Sequence, residues 1–278
     1  MEANLPYVKT RDGTDLYFKE WGSGRPVVLI HGWPLNADSF DRTAMALAQE
    51  GFRAINYDRR GLGRSAQPWT GYDWDSLADD LADVMQATGA TDDVTVIGYS
   101  MGGGEAARYM SRHNGKGVIK VGLYASIAPG MLQSKENPHG NPGSGFDDIA
   151  KGIKDDVAAF FRHTFLPPFY GVGGAHTASN DVIEGAVNTA LTAGMKPLIN
   201  MAHSFSFGDF VDDMPAMTVP TLIVHGSEDK PVPIDATARR AHRMIPHSRL
   251  IEYKGHPHGF YATNSEQMVK DTVAFVKA

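Results

Sequence analysis

Val94-Thr95-Val96-Ile97-Gly98-Tyr99-Ser100-Met101-Gly102-Gly103-Gly104 is an apolar, β-branched run that closes on a glycine, turns at one serine and leaves into residues with helical spacing. A G-x-S-x-G pattern gains weight from that context of buried strand, tight turn and helix. There the serine occupies a strained turn with its hydroxyl projecting from the sheet edge, and Gly98 and Gly102 stand where a side chain has no room. Serine before an apolar helix is also a common N-cap. A cap alone asks for none of the four glycines, so we read the stretch as a nucleophile elbow.

Working outward, the same strand and helix rhythm recurs. Pro26-Val27-Val28-Leu29-Ile30 is a short apolar run of the kind buried on both faces, and it ends in the special loop His31-Gly32-Trp33-Pro34. The pattern predicts a helix over residues 38–49, a strand over 51–57, a helix over 74–87 with Leu77, Leu81, Val84 and Met85 on one face, and a strand over 118–127. Before these, Tyr7-Val8-Lys9-Thr10 and Thr14-Asp15-Leu16-Tyr17-Phe18-Lys19-Glu20-Trp21 flank Arg11-Asp12-Gly13, a hairpin signal. After them come a strand at 221–226, a helix at 233–244, a strand at 249–253 and a helix at 265–277. About eight mostly parallel strands flanked by helices, an α/β fold, is the expectation.

From Met131 the texture changes. Residues 133–145 are polar and rich in Gly and Pro, and 147–212 show helical patches interrupted by Pro167-Pro168, Gly171 to Gly174 and Pro197. We expect a core of 1–130 and 213–278 with a helical cap of 131–212 inserted after the sixth strand. Phe160, Phe161, Phe165, Phe169, Tyr170, Phe205, Phe207 and Phe210 would give the cap its apolar face, most of them as packing rather than pocket lining.

Composition narrows the chemistry. The 278 residues carry a formal charge of -6 and no basic run, which gives nucleic acid nothing to bind. There is no cysteine, which excludes disulfides, thiolate catalysis and cysteine-based metal sites. Met1 to Tyr7 show neither a basic nor an apolar leader segment, and no apolar run approaches the ~18 residues of a membrane span. A soluble, cytoplasmic protein with no membrane partner is the expectation.

A serine hydroxyl is a weak nucleophile that needs a base beside it and a carboxylate to orient the base. Behind this kind of elbow the chain order is serine, acid, histidine. Gly226-Ser227-Glu228-Asp229-Lys230 follows the strand at 221–226 and offers Glu228 and Asp229, of which Asp229 is the better placed. Gly255-His256-Pro257-His258-Gly259 follows the last strand and offers two histidines; His258 is the choice and His256 its competitor. The other nine histidines are assigned to structure or surface, His31 to holding its loop by hydrogen bonding. The oxyanion donors would be the backbone N–H groups of Met101, after the nucleophile, and of Trp33, in the first loop.

His31-Gly32-Trp33-Pro34-Leu35-Asn36-Ala37-Asp38, Tyr57-Asp58-Arg59-Arg60-Gly61-Leu62-Gly63-Arg64-Ser65, Tyr99-Ser100-Met101-Gly102-Gly103-Gly104-Glu105 and Pro257-His258-Gly259 resemble the α/β-hydrolase family of cofactor-free haloperoxidases and arylesterases. The resemblance runs through the whole chain and is weakest over 133–177. Residue by residue it implies Ser100, Asp229 and His258 as triad and Trp33 and Met101 as oxyanion donors. It also implies hydrolysis of small esters, and of some lactones or amides, with transfer of the acyl group to water or hydrogen peroxide and no metal or other cofactor. Pro34 resembles the residue of members that favour peroxide, its fixed φ placing a neighbouring carbonyl toward the acceptor. Members of that family often form homo-oligomers. The chain departs from the family pattern at Gly255-His256, where a small residue more usually precedes Pro-His.

Three other readings compete. Gly61-Leu62-Gly63-Arg64-Ser65-Ala66 with Asp79 or Asp80 beyond it matches a dinucleotide fingerprint, but Pro68 follows too soon for those glycines to open a helix. A ligand-binding protein could carry an idle triad on the same fold. Carbon–carbon bond hydrolysis of a ketone, or lactonase and amidase chemistry, is open to the same serine.

Overall fold

The computed structural model describes residues 6–278; Met1 to Leu5, the start of the stretch read above for a leader, lie outside the described residues. The expected hairpin is formed by β1 (Tyr7–Lys9) and β2 (Asp15–Gly22), paired antiparallel with Val8 opposite Leu16. Gly13 turns it at a φ of +87°. There follow β3 (Arg25–Ile30), β4 (Phe52–Tyr57), β5 (Val94–Tyr99), β6 (Val118–Tyr124), β7 (Thr221–Gly226) and β8 (Arg249–Tyr253). They form one eight-stranded sheet in the order β1-β2-β4-β3-β5-β6-β7-β8, parallel from β4 onward.

Val27, Val28, Leu29 and Ile30 are fully buried because β3 lies between β4 and β5 with helices on both faces, which is why the run is apolar without alternation. The chain leaves β3 toward β4 on one side and later returns on the other side as β5. The order therefore reverses between β3 and β5, and a crevice opens beyond their carboxyl ends. Both the His31 loop and the Ser100 turn stand at that crevice.

The flanking helices are α1 (Asp41–Gln49), α2 (Trp74–Ala87), α3 (Met101–Arg112) and, beyond the insertion, α8 (Ala238–Met244), α9 (Phe260–Thr263) and α10 (Ser265–Lys277). Helices α2 and α10 begin and end where the sequence pattern puts them. The helix expected over 38–49 is a 3-10 turn at Ala37–Phe40 followed by α1. The helix expected over 233–244 is only its second half, because Thr237 (φ -125°, ψ -82°) leaves helical geometry and turns its hydroxyl back to the Pro233 carbonyl at 3.0 Å. The strand expected to reach 127 stops at Tyr124, since Ala125 has a φ of +45°. The short α9 carries no apolar period and is absent from the sequence reading.

Between β6 and β7 lie α4 (Ser144–Ala159), α5 (Leu166–Phe169), α6 (Asn180–Ala190) and α7 (Met195–Phe207), a helical insertion over the sheet. Inside α4 Asp156 is extended (φ -160°, ψ 96°) and accepts the Ala159 N–H at 2.9 Å, so it caps a new helical start within the element. A wide turn over Phe160–Phe165 follows. Phe160, Phe161, Phe169, Tyr170 and Phe210 are buried in the core as expected of cap aromatics, whereas Phe207 is exposed. No helix among the described residues is long and apolar enough to cross a membrane.

Candidate active site

Ser100 joins β5 to α3 with φ 54° and ψ -117°, a conformation that L-residues avoid. The turn is over-determined. Ser100 N–H donates to the Tyr124 carbonyl at 2.8 Å, and its own carbonyl accepts from Gly103 N–H at 3.0 Å. A Cβ on Gly98 would stand 2.1 Å from the Gly102 carbonyl oxygen, and one on Gly102 would stand 2.3 Å from that of Ile30. Both obstacles are backbone, so glycine is required at each position. Met101 opens α3, where the first amides have no partner within the helix and point along its positive end.

The loop after β3 runs against this turn: a Cβ on Gly32 would lie 3.0 Å from Ser100 Cβ. Trp33 is buried against Phe161, Phe165 and Phe205, with ring centroids 5.5, 4.9 and 5.1 Å away. His31 fixes the loop's first residue. Its Nε2 accepts the Arg59 N–H at 3.0 Å, which leaves the proton on Nδ1, 2.8 Å from the Gly32 carbonyl. Arg59 donates further to the His31 carbonyl at 2.8 Å and to Glu105 of α3 at 2.7 Å, while the Tyr57 hydroxyl donates to the other Glu105 oxygen. One buried guanidinium thus ties the Trp33 loop to the helix that begins at Met101.

Burial, and then the Arg59 charge, push the His31 imidazole down to about 3. Its unfolded counterpart titrates near 6.5, so the unfolded chain binds a proton that the folded chain refuses between those values. The stabilisation is complete above pH 6.5 and is lost as pH falls below it, by about 2 kcal/mol at pH 5. Urea unfolding should show this slope in the wild type and a flatter one in His31→Gln, whose amide oxygen can still accept from Arg59. Equal slopes would refute the assignment.

Asp229 stands in the loop after β7 with its side chain fully buried, whereas Glu228, its competitor, is exposed. Asp229 Oδ1 accepts the Val232 N–H at 2.7 Å, and Oδ2 lies 2.5 Å from His258 Nδ1. Burial works to raise this carboxyl, but the His258 charge and hydrogen bonds from His225 and His258 outweigh it and hold it below the usual range. His258, in the loop after β8, is buried edge-on between Phe169 and Tyr99, and its carbonyl accepts the Tyr99 hydroxyl. With Nδ1 committed to Asp229, Nε2 is the nitrogen left to work.

Ser100, Trp33 and His258 share the lining of one cavity of about 230 Å³. Ile127, Met131, Phe146, Ile149, Phe165 and Phe205 supply most of the remaining wall, Asn141 and Ser206 add polar groups, and His258 is its one titratable side chain among the described residues. Phe165 and Phe205 are therefore pocket lining as well as packing. His256 is absent from this wall; its ring stacks on His176 at 3.8 Å and 10°, and its Nδ1 is 3.3 Å from Thr263 Oγ1. The sequence reading missed His225, whose Nε2 lies 3.1 Å from Asp229 Oδ2. Its signal was available as a histidine four residues before the acid at a strand end. The rival dinucleotide glycines form no helix start: Arg64 closes that loop onto Asp58, and Asp80 is occupied by Arg60 at 2.5 and 2.6 Å.

Comparison with known proteins agrees with this fold. Residues 25–144 match the family described as alpha/beta hydrolase fold. A non-heme chloroperoxidase of Kitasatospora aureofaciens is 37% identical over 98% of this chain and 99% of its own. A bifunctional esterase/perhydrolase of Acinetobacter calcoaceticus is 36% identical over 99% and 100%. Among solved structures, a bromoperoxidase from Bacillus anthracis superposes with a TM-score of 0.93 at 34% identity, covering 98% of this chain and 99% of that one. A strained serine at a sheet's switch point, with full-length likeness of this order, places the chain in the non-heme haloperoxidase, esterase and perhydrolase family of α/β-hydrolases.

Proposed function

We propose that the protein is a serine esterase and perhydrolase for small, uncharged esters. Ser100 is the nucleophile, His258 the base and Asp229 the group that orients it. His258 Nε2 takes the Ser100 proton as Oγ attacks the ester carbonyl, and the backbone N–H groups of Trp33 and Met101 bind the oxyanion. Collapse expels the alcohol, protonated by His258, and leaves an acyl-enzyme. Water resolves it to the carboxylic acid, hydrogen peroxide to the peracid. The peracid in turn passes one oxygen to a halide ion, giving hypohalous acid and carboxylate, with no metal in the cycle.

The observation that carries this reading is the shared cavity of Ser100 and His258 with Asp229 2.5 Å behind the imidazole. Its apolar wall, in which His258 is the one titratable side chain among the described residues, supports aryl or short-chain acyl groups over charged ones. Residues 131–212, read as a cap over a core of 1–130 and 213–278, would then set acyl size through Met131, Phe146, Ile149, Phe165 and Phe205.

Hydrolysis of p-nitrophenyl acetate and phenyl acetate, with and without hydrogen peroxide, tests the proposal. Ester cleavage and peroxide-dependent peracid are both expected; absence of both in folded protein would refute it. Pro34→Leu should lower the ratio of perhydrolysis to hydrolysis by about tenfold, because the freed φ lets the acceptor-facing carbonyl drift. An unchanged ratio removes Pro34 from acceptor selection.

A further inference from the structure

The buried acid has two histidines on it. His225, the penultimate residue of β7, is fully buried, and its Nε2 donates to the Val232 carbonyl at 2.8 Å while lying 3.1 Å from Asp229 Oδ2. Val232 N–H returns to Asp229 Oδ1 at 2.7 Å, so imidazole, carbonyl, amide and carboxylate close a ring that holds the acid loop. Asp229 Oδ2 therefore faces two imidazoles, His258 at 2.5 Å and His225 at 3.1 Å.

We propose that His225 is a positioning residue of the triad, fixing the Asp229 carboxylate so that its Oδ2 stays aimed at His258 and its charge is shared between the two imidazoles. The proposal rests on the triad reading above. A buried histidine with only a structural task normally satisfies both nitrogens, as His31 does. His225 Nδ1 is buried with no hydrogen-bond partner among the described residues, while Nε2 is set between a carbonyl and the acid. The ring is placed for the acid loop rather than for its own hydrogen bonding.

The direction of the effect follows from charge. The positive end of an N–H dipole beside a carboxylate favours its anionic form and spreads its charge, and the His225 N–H lies 3.1 Å from Oδ2. Removing the His225 N–H, which is donated to Val232 but stands 3.1 Å from Asp229 Oδ2, concentrates the carboxylate charge on the His258 side. The acid limb of kcat/KM, which belongs to the coupled pair, then moves to higher pH. Other charged groups near His225 are committed or outside the pocket. Glu252, its register partner on β8, is held by Arg239 of α8 at 2.7 and 2.9 Å, and Glu228 and Lys230 flank Asp229 on the exposed side of the loop. Tyr99 donates its hydroxyl to the His258 carbonyl.

The test is the pH profile of p-nitrophenyl acetate hydrolysis for His225→Leu, His225→Asn and His225→Gln. Leucine removes the donor, asparagine is one bond too short to reach, and glutamine places an amide Nε2 where the imidazole nitrogen was. We expect the acid limb to rise by about 0.5–1 pH unit in the leucine and asparagine variants, with kcat lowered about tenfold and KM within about twofold, and to stay within about 0.2 unit in the glutamine variant. The asparagine variant serves if leucine does not fold, as judged by circular dichroism. A donorless variant with the wild-type midpoint, or a glutamine variant shifted as far as leucine, would overturn the proposal. Ser100→Ala and His258→Ala, run alongside, separate the two failures. If they are inactive while the His225 variants titrate normally, only His225 loses its role; if they remain active, the triad reading and this inference fall together.

Discussion

Replacing Ser100 by alanine lowers kcat for p-nitrophenyl acetate by about 10⁴-fold or more, His258→Ala falls nearly as far, and His256→Ala stays within about threefold of wild type. The first two figures reflect groups that act as one unit. Without Oγ no acyl-enzyme forms, and without His258 Oγ keeps its proton at neutral pH. What remains is the oxyanion hole and the apolar wall, which give both variants a residual rate above solution. The third figure follows from position. His256 stacks on His176, lies off the cavity wall and is depressed by burial and by its stacked neighbour, so the proposed mechanism gives it no part in moving the Ser100 proton. Rapid-quench mass spectrometry adds a readout independent of turnover: wild type accumulates an acetyl adduct on Ser100, and His258→Ala should not. Loss of activity in His256→Ala with retention in His258→Ala would move the base to the other histidine of the loop.

How far the sequence reached depends on whether the determining contact is local. The elbow was legible because the requirements of Gly98, Ser100 and Gly102 are met within five residues, and α2 was legible because Leu77, Leu81 and Val84 repeat along one face. The acid and base were narrowed by the order in which strands end at one sheet edge. The choice between His256 and His258 turns on a partner 29 residues away, which spacing alone does not specify. Helix α8 started late because a threonine hydroxyl competed with the backbone, and α4 hides a restart at Asp156 that reads as an ordinary helical aspartate. Glu105 escaped because its partners, Tyr57 and Arg59, reach it only through folding, whereas the position of His225 four residues before the acid was a local signal that went unread.

Glu105→Leu should destabilise the protein by about 3–5 kcal/mol, a large share of the ~5–15 kcal/mol typical of a native domain. Glu105 and Arg59 are both fully buried, and their 2.7 Å contact is joined by the Tyr57 hydroxyl. Removing the carboxylate leaves a guanidinium in the core with only the His31 carbonyl to receive it. Arg59 Nη1 already lacks a partner among the described residues, so little remains nearby to absorb the charge. The pair is costly to break and cheap to replace. Glu105→Leu with Arg59→Met should therefore recover part of the loss, falling short by ~1 kcal/mol each for an unmet His31 carbonyl and an unmet Tyr57 hydroxyl. Catalysis separates what stability does not. Arg59 grips both the Trp33 loop and the helix of Met101, so the double variant should let the two proposed oxyanion donors drift apart. Its kcat should fall about tenfold with KM nearly unchanged, the mark of a contact used in the transition state rather than in binding. Urea unfolding and steady-state kinetics of the three variants decide the matter. A Glu105→Leu protein within about 1 kcal/mol of wild type would mean that water reaches the guanidinium, and a double variant with wild-type kcat would mean that the two donors are held by their loops alone.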